Sequence, residues 1–163
     1  MQQRPCAFFD RDGVINRKPV PGEYVRHPDE FHLIPAAADW IKIFNGLGYL
    51  VIVVTNQRGI ARGLMSVSDL DGVHDRMRAL LAEAGARVDD VLYCPHEENS
   101  CQCRKPAPGM VERAAEEWAI DLERSVMIGD TSRDAELAAR CGLRFLRAEE
   151  GRIVAPMAVG AAA

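Results

Sequence analysis

The strongest constraint on the fold is a set of short, β-branched apolar runs, each ending abruptly in an acidic, hydroxyl or amide residue. Cys6-Ala7-Phe8-Phe9 stops at Asp10, and Leu50-Val51-Ile52-Val53-Val54 stops at Thr55 and Asn56. Val91-Leu92-Tyr93 and Val126-Met127-Ile128 are two further runs, the second ending in Gly129-Asp130, and Arg144-Phe145-Leu146 reads as a fifth. Continuous apolar runs of this length are the mark of strands buried on both faces, as in a parallel sheet.

Between the runs lie helix-spaced apolar residues. These are Trp40, Ile41, Phe44 and Leu47 before Gly48; Leu70, Val73, Met77 and Leu80 after Ser68; Val111, Ala114, Ala115 and Trp118; and Ala135, Leu137, Ala138 and Cys141 before Gly142. Strand and helix therefore alternate, which predicts an α/β domain with a doubly wound parallel sheet. In such sheets ligands bind beyond the carboxyl ends of the strands. Asp10, Thr55 and Asp130 are expected to converge there.

The chain has 163 residues, enough for one core, and residues 1–150 are read as a single domain with residues 151–163 a frayed tail. Residues 16–35 have no clear periodicity and are read as an ordered loop near the crevice. Twenty Lys and Arg against 24 Asp and Glu give a net charge of −4, so no bulk positive field favours nucleic acid or anionic lipid. With no membrane-length apolar run and no signal-peptide pattern, the expectation is a cytoplasmic protein, a monomer, that binds any anion locally.

Asp10 and Asp12 stand two apart before Gly13, a spacing that can direct both carboxylates into one site. Two such charges repel unless one is protonated or a cation lies between them, and hard oxygen donors suit Mg²⁺, with Asp130 completing the site. An isolated Asp-x-Asp can equally cap a turn. Cys94-Pro95-His96 and Cys101-Gln102-Cys103 supply three thiols and an imidazole within ten residues, the donor set of a tetrahedral Zn²⁺ site. The intervening Glu97-Glu98-Asn99-Ser100 is wholly polar and cannot be ordered by apolar burial, so the ion is read as structural. Free thiols or a Cys-x-Cys disulfide would leave His96 unexplained. Cys6 and Cys141 fall in apolar patterns and read as core, while His27, His32 and His74 carry no comparable signal.

The ordered set of Asp10 and Asp12 after one strand, Thr55 after another, Lys105 before a helix, and Gly129-Asp130-x-x-x-Asp134 resembles the haloacid dehalogenase (HAD) superfamily of phosphatases over residues 6–146. The resemblance implies a HAD-like Rossmannoid without a cap domain. It also implies a Mg²⁺-dependent phosphomonoester hydrolase in which Asp10 is the nucleophile and forms an aspartyl phosphate. Asp12 would be general acid, starting protonated, and then general base. Thr55, the Asn56 backbone and Lys105 would hold the phosphoryl group. Magnesium would take the side chains of Asp10 and Asp130 and the carbonyl of Asp12. Asp134 would orient Lys105 or a metal-bound water, or serve only as a helix N-terminal charge.

The zinc cluster directly before Arg104-Lys105-Pro106, with Thr55-Asn56-Gln57-x-Gly59-Ile60-Ala61-Arg62-Gly63, is similar to the D-glycero-D-manno-heptose 1,7-bisphosphate 7-phosphatases. The histidinol-phosphatases share the zinc loop and are the alternative; another small phosphorylated metabolite is a third. A bisphosphate needs a second anion site, for which Arg104, Arg58 and Arg62 are candidates. Thr131 departs from the Lys or Arg usual in that family. A phosphoacceptor signalling domain is the competing class, and Asp12, which would make an aspartyl phosphate turn over, argues against it.

Overall fold

The computed structural model describes residues 2–154. A single six-stranded sheet has the order β3-β2-β1-β4-β5-β6, built from β1 (Cys6–Phe9), β2 (Leu50–Asn56), β3 (Asp90–Cys94), β4 (Val126–Gly129), β5 (Arg144–Glu149) and β6 (Arg152–Val154). The first five strands are mutually parallel, and β6 pairs antiparallel with β5. The chain moves outward from β1 in both directions, so the switch point lies at β1 and β4. Register brings the last residues together: Phe9 sits opposite Val53 on one side and Ile128 on the other.

The strands are buried on both faces because two layers of helix cover them. Ala7, Phe9, Val51 and Val53 pack with Ile41 and Phe44 of α1 (Pro35–Gly46) and with Val73, Met77 and Leu81 of α2 (Val67–Glu83). Cys6, Phe8, Leu50, Ile52 and Val54 face Met110, Val111 and Ala114 of α3 (Gly109–Trp118) and Leu137 and Ala138 of α4 (Ser132–Cys141). Each fully buried Val, Ile or Phe contributes about 1.5–3 kcal/mol relative to exposure. Cys6 is core, and Cys141 packs beside the same cluster.

Three expectations need correction. Residues 152–154 are not frayed but form the edge strand β6, with Arg147 opposite Val154; the rest of the tail, 155–163, lies outside the described residues. Helix α2 starts earlier than Ser68 because Ser66 and Asp69 form a reciprocal capping box. Leu47 is the C-cap of α1 and is exposed, since the helix ends before its periodic pattern does.

The segment between β1 and α1 is ordered without regular structure apart from one turn of 3-10 helix at Pro28–Glu30, and it buries Val25 and Phe31. The β3–α3 connection is the Cys/His loop, and no cap domain is inserted at either place. Among the described residues no helix is long and apolar enough to cross a membrane.

Candidate active site and metal centres

The carboxyl ends of β1, β2 and β4 open onto a cavity of about 380 Å³ lined by Asp10, Asp12, Thr55, Asn56, Lys105 and Asp134, among others. Asp10 follows β1, and its backbone N–H donates to the carbonyl of Ile128 (3.0 Å), which locks it to the end of β4. Lys105 is almost wholly buried, and its Nζ donates to Asp10 Oδ1 (2.8 Å) and Asp134 Oδ1 (2.7 Å). Burial alone would lower the lysine pKa, but the charges of Asp10 and Asp134 outweigh it and the net direction is upward, so Lys105 stays an ammonium. Burial pushes Asp10 up, opposed by Lys105 and reinforced by Asp134 and Asp12.

Asp134 does two jobs at once. Its Oδ2 accepts from the backbone N–H of Thr131 and from Thr131 Oγ1 (3.0 Å), closing the capping box of α4, while Oδ1 holds Lys105. Both the helix-capping contact and the contact to Lys105 that the two readings of Asp134 call for are present. Asn56 clamps the backbone beside that lysine: its Oδ1 accepts from Lys105 N (2.9 Å), and its Nδ2 donates to Lys105 O (3.1 Å).

Asp12 departs from expectation. Its carboxylate accepts from Arg11 Nε and Nη2 (3.1 and 2.7 Å), Asn16 Nδ2 (2.9 Å) and Gln57 Nε2 (3.1 Å). Burial works to raise its pKa, but the Arg11 charge and these donors together hold it below the usual carboxylate range. In the free protein Asp12 is an anion, not the protonated acid that the family resemblance implies at the outset.

Four of the side chains that set this state were given no catalytic role from the sequence. Arg11 has no exposure at all, and its second amine meets His74 Nε2 at 3.1 Å. Burial, then the charge of Arg11, pushes His74 down to about 3, so the ring is neutral and Nε2 accepts. Gln57 Nε2 reaches both Asp12 and Thr55 Oγ1 (2.9 Å), and Asn16 bridges Asp12 to the next loop. Arg11 could have been flagged as the cation between two carboxylates; His74, 63 residues away, has no local signature.

Carboxylate oxygens of Asp10, Asp130 and Asp134 lie within 4.8 Å of one another. Both oxygens of Asp134 are engaged, whereas Asp130 Oδ1 is buried with no hydrogen-bond partner among the described residues. An orphaned carboxylate oxygen beside Asp10 fits a hard divalent cation such as Mg²⁺. Lys18, whose Nζ lies 3.0 Å from Asp130 Oδ2, adds positive charge that sequence reading also missed. The Asp12 carboxylate is not in this cluster, which leaves its oxygens free of the metal site. Gly13 is required here, because a Cβ on its left-handed backbone (φ +88°) would lie 2.4 Å from Asp130 Oδ2.

The second centre forms where β3 ends. Cys94 Sγ lies 3.4 Å from His96 Nδ1 and 3.5 Å from Cys101 Sγ, and Cys103 Sγ lies 3.2 Å from His96 Nδ1 and 3.5 Å from Cys101 Sγ. Soft donors gathered at these spacings fit a tetrahedral zinc ion, whose bonds of about 2.0–2.3 Å place its ligand atoms at comparable separations. The loop is tied to the crevice by Gln57 N–H donating to Cys94 O (2.8 Å) and Ala61 N–H to Pro95 O (3.1 Å).

Of the candidate arginines, Arg104 and Arg58 approach Glu98, Arg58 and Arg62 both pair with Glu97 (3.2 and 3.3 Å), and only Arg104 lines the cavity beside the crevice. Thr131 is committed to capping α4.

A family model described as HAD-hydrolase-like matches residues 102–154. A D-glycero-beta-D-manno-heptose-1,7-bisphosphate 7-phosphatase of Rhodopseudomonas palustris is 40% identical over 155 residues, which span 90% of this chain and 84% of the relative. The chain belongs to the heptose bisphosphate phosphatase family of HAD-like hydrolases. Family members named for the other anomer are equally similar: a D-glycero-alpha-D-manno-heptose-1,7-bisphosphate 7-phosphatase of Mycobacterium tuberculosis is 41% identical over 139 residues, 82% of this chain and 70% of that protein. The crystal structure of a D,D-heptose 1,7-bisphosphate phosphatase from B. bronchiseptica, complexed with magnesium and phosphate, superposes with a TM-score of 0.82 at 35% identity, covering 91% of this chain and 83% of that one.

Proposed function

We propose that this chain hydrolyses the 7-phosphate of a D-glycero-D-manno-heptose 1,7-bisphosphate through an aspartyl phosphate on Asp10. The observation that carries the reading is the buried Lys105 ammonium shared by Asp10 and Asp134 at the mouth of β1, beside the orphaned oxygen of Asp130. The family relationship supports the substrate.

Asp10 attacks phosphorus in line, and the bond to the sugar oxygen breaks as the Asp10–phosphorus bond forms. Lys105, the Thr55 hydroxyl and the Asn56 backbone N–H hold the phosphoryl oxygens, so their charge meets donors already oriented. Held by Asp10, Asp130 and the Asp12 carbonyl, Mg²⁺ would neutralise charge on the transferring group. Asp12 is anionic in the free protein, and the negative phosphoryl group entering beside it favours its neutral form. The proton acquired in this way passes to the leaving sugar oxygen. Asp12, a carboxylate again, takes a proton from the water that attacks the aspartyl phosphate, releasing inorganic phosphate and restoring Asp10. Arg11, Asn16 and Gln57 keep Asp12 aimed throughout.

In the test, Asp10→Asn abolishes phosphate release while the melting temperature stays near that of the parent; activity within a few-fold of the parent would refute the nucleophile. Among heptose bisphosphate, fructose bisphosphate and histidinol phosphate, kcat/KM is highest on the first. A higher value on histidinol phosphate would move the enzyme to the alternative substrate.

A further inference from the structure

Outside the catalytic crevice, three guanidinium groups converge on a single carboxylate oxygen. Glu98 Oε1 lies 3.0 Å from Arg58 Nη1, 3.3 Å from Arg133 Nη2 and 3.6 Å from Arg104 Nη2. These residues come from the loop after β2, the first turn of α4 and the end of the Cys/His loop, so only the tertiary fold unites them. Arg58 Nη1 also meets Glu97 Oε1 (3.2 Å), and Glu97 in turn pairs with Arg62, so two carboxylates face four guanidinium groups and the site remains electropositive.

Arg104 makes the deficit concrete. Its side chain is only 10% exposed, and its Nη1 is buried with no hydrogen-bond partner among the described residues. A buried guanidinium N–H without an acceptor is costly, and one carboxylate oxygen cannot serve every donor around it. A phosphate, with three oxygens and up to two charges, can. The site is also continuous with the crevice, because Lys105 and Arg133 line both the 380 Å³ cavity and the adjoining cavity of about 290 Å³ that contains Glu98 and Arg104. Glu98 itself is half-exposed on a polar loop with no apolar anchor, so it can be displaced.

We propose that Glu98 is a resident competitor for the non-reacting phosphate: its carboxylate fills the Arg58–Arg104–Arg133 site until the second phosphate of a bisphosphate substrate displaces it. Arg133 supplies there the cation that Thr131, used as a helix cap, does not. The device selects for a second phosphate, because a monoester brings no anion to take the place of Glu98 among the arginines. The inference rests on the bisphosphate reading above.

The test compares the parent with Glu98→Gln on D-glycero-D-manno-heptose 1,7-bisphosphate and on the 7-phosphate, which differ only in the distal group. KM for the bisphosphate falls about three- to tenfold with kcat unchanged, as expected for removing a competing partly exposed ion-pair cluster, and KM for the 7-phosphate does not move. In Arg133→Ala, KM for the bisphosphate rises. An unchanged or higher bisphosphate KM in Glu98→Gln, or an equal fall for both esters, would overturn the proposal and mark Glu98 as a tether of the loop. If the parent hydrolyses neither ester, the substrate reading fails separately. Calorimetric titration with inorganic phosphate then decides: a second binding event that tightens in Glu98→Gln and disappears when Arg133→Ala is added supports the competitor role, and its absence refutes it.

Discussion

Gly129→Ala adds one methyl group to a residue that touches no substrate, yet it should disable the enzyme. A Cβ at Gly129 would lie 2.3 Å from Asp134 Cβ, 2.4 Å from Oδ2 and 2.5 Å from Cγ, where ordinary contact begins near 3.4 Å. The clash falls on the Asp134 side chain where it is fixed by Thr131 and Lys105, so Asp134 must retreat by about an ångström. Its bond to Lys105 starts at 2.7 Å, and a hydrogen bond weakens rapidly beyond about 3.2 Å. Overpacking a tight site costs roughly 1–3 kcal/mol. For a domain of this size that is a fall in Tm of about 3–10 °C. An ångström of displacement in a group that positions a phosphate-binding lysine costs up to about 100-fold in rate. Differential scanning calorimetry and steady-state kinetics therefore give a joint expectation: lower Tm, and kcat down about 10- to 100-fold. Gly46→Ala, at the end of α1 with nothing within 4 Å of the added carbon, is the control and should leave both values unchanged or raise Tm slightly. A Gly129→Ala protein with parental kcat would refute the chain of contacts from β4 through Asp134 to Lys105, whatever its Tm.

The remaining predictions concern stability. His74 is held neutral at a pKa of about 3, while an unfolded histidine titrates near 6.5. As pH falls below about 6.5 the unfolded chain binds the extra proton, so this group's stabilisation is complete above that value. It is lost at up to about 1.4 kcal/mol per pH unit on the way down towards 3. His74→Gln keeps an acceptor for Arg11 but cannot titrate, so urea denaturation at pH 7.5 and 5.0 should show a smaller loss than in the parent; equal losses would contradict the buried neutral ring. Metal analysis should find one zinc per chain. Chelation should lower Tm, because donors packed at 3.2–3.5 Å are otherwise held together against their own repulsion; an unchanged Tm at equal pH would exclude a structural ion.

The sequence by itself determined the layer architecture and most of the chemistry. Apolar runs such as Leu50–Val54 need cover on both faces, which specifies strand, helix partner and parallel pairing, and a polar residue that ends each run must emerge at the carboxyl edge of the sheet. Asp10, Thr55 and Asp130 were therefore legible, as was the Cys94–Cys103 cluster, whose donors are neighbours along the chain. Tertiary structure alone decided what each group's surroundings are. The charge state of Asp12 is set by Gln57 as well as by its neighbour Arg11, which His74 holds 63 residues away. The three arginines on Glu98 come from separate loops, and the strand after Gly151 exists because β5 offers it an open edge. Periodicity reports which face of an element is apolar, since that depends on the chain's own spacing. Electrostatic balance and hydrogen-bond partnership depend on distances between elements, which no spacing along the chain encodes.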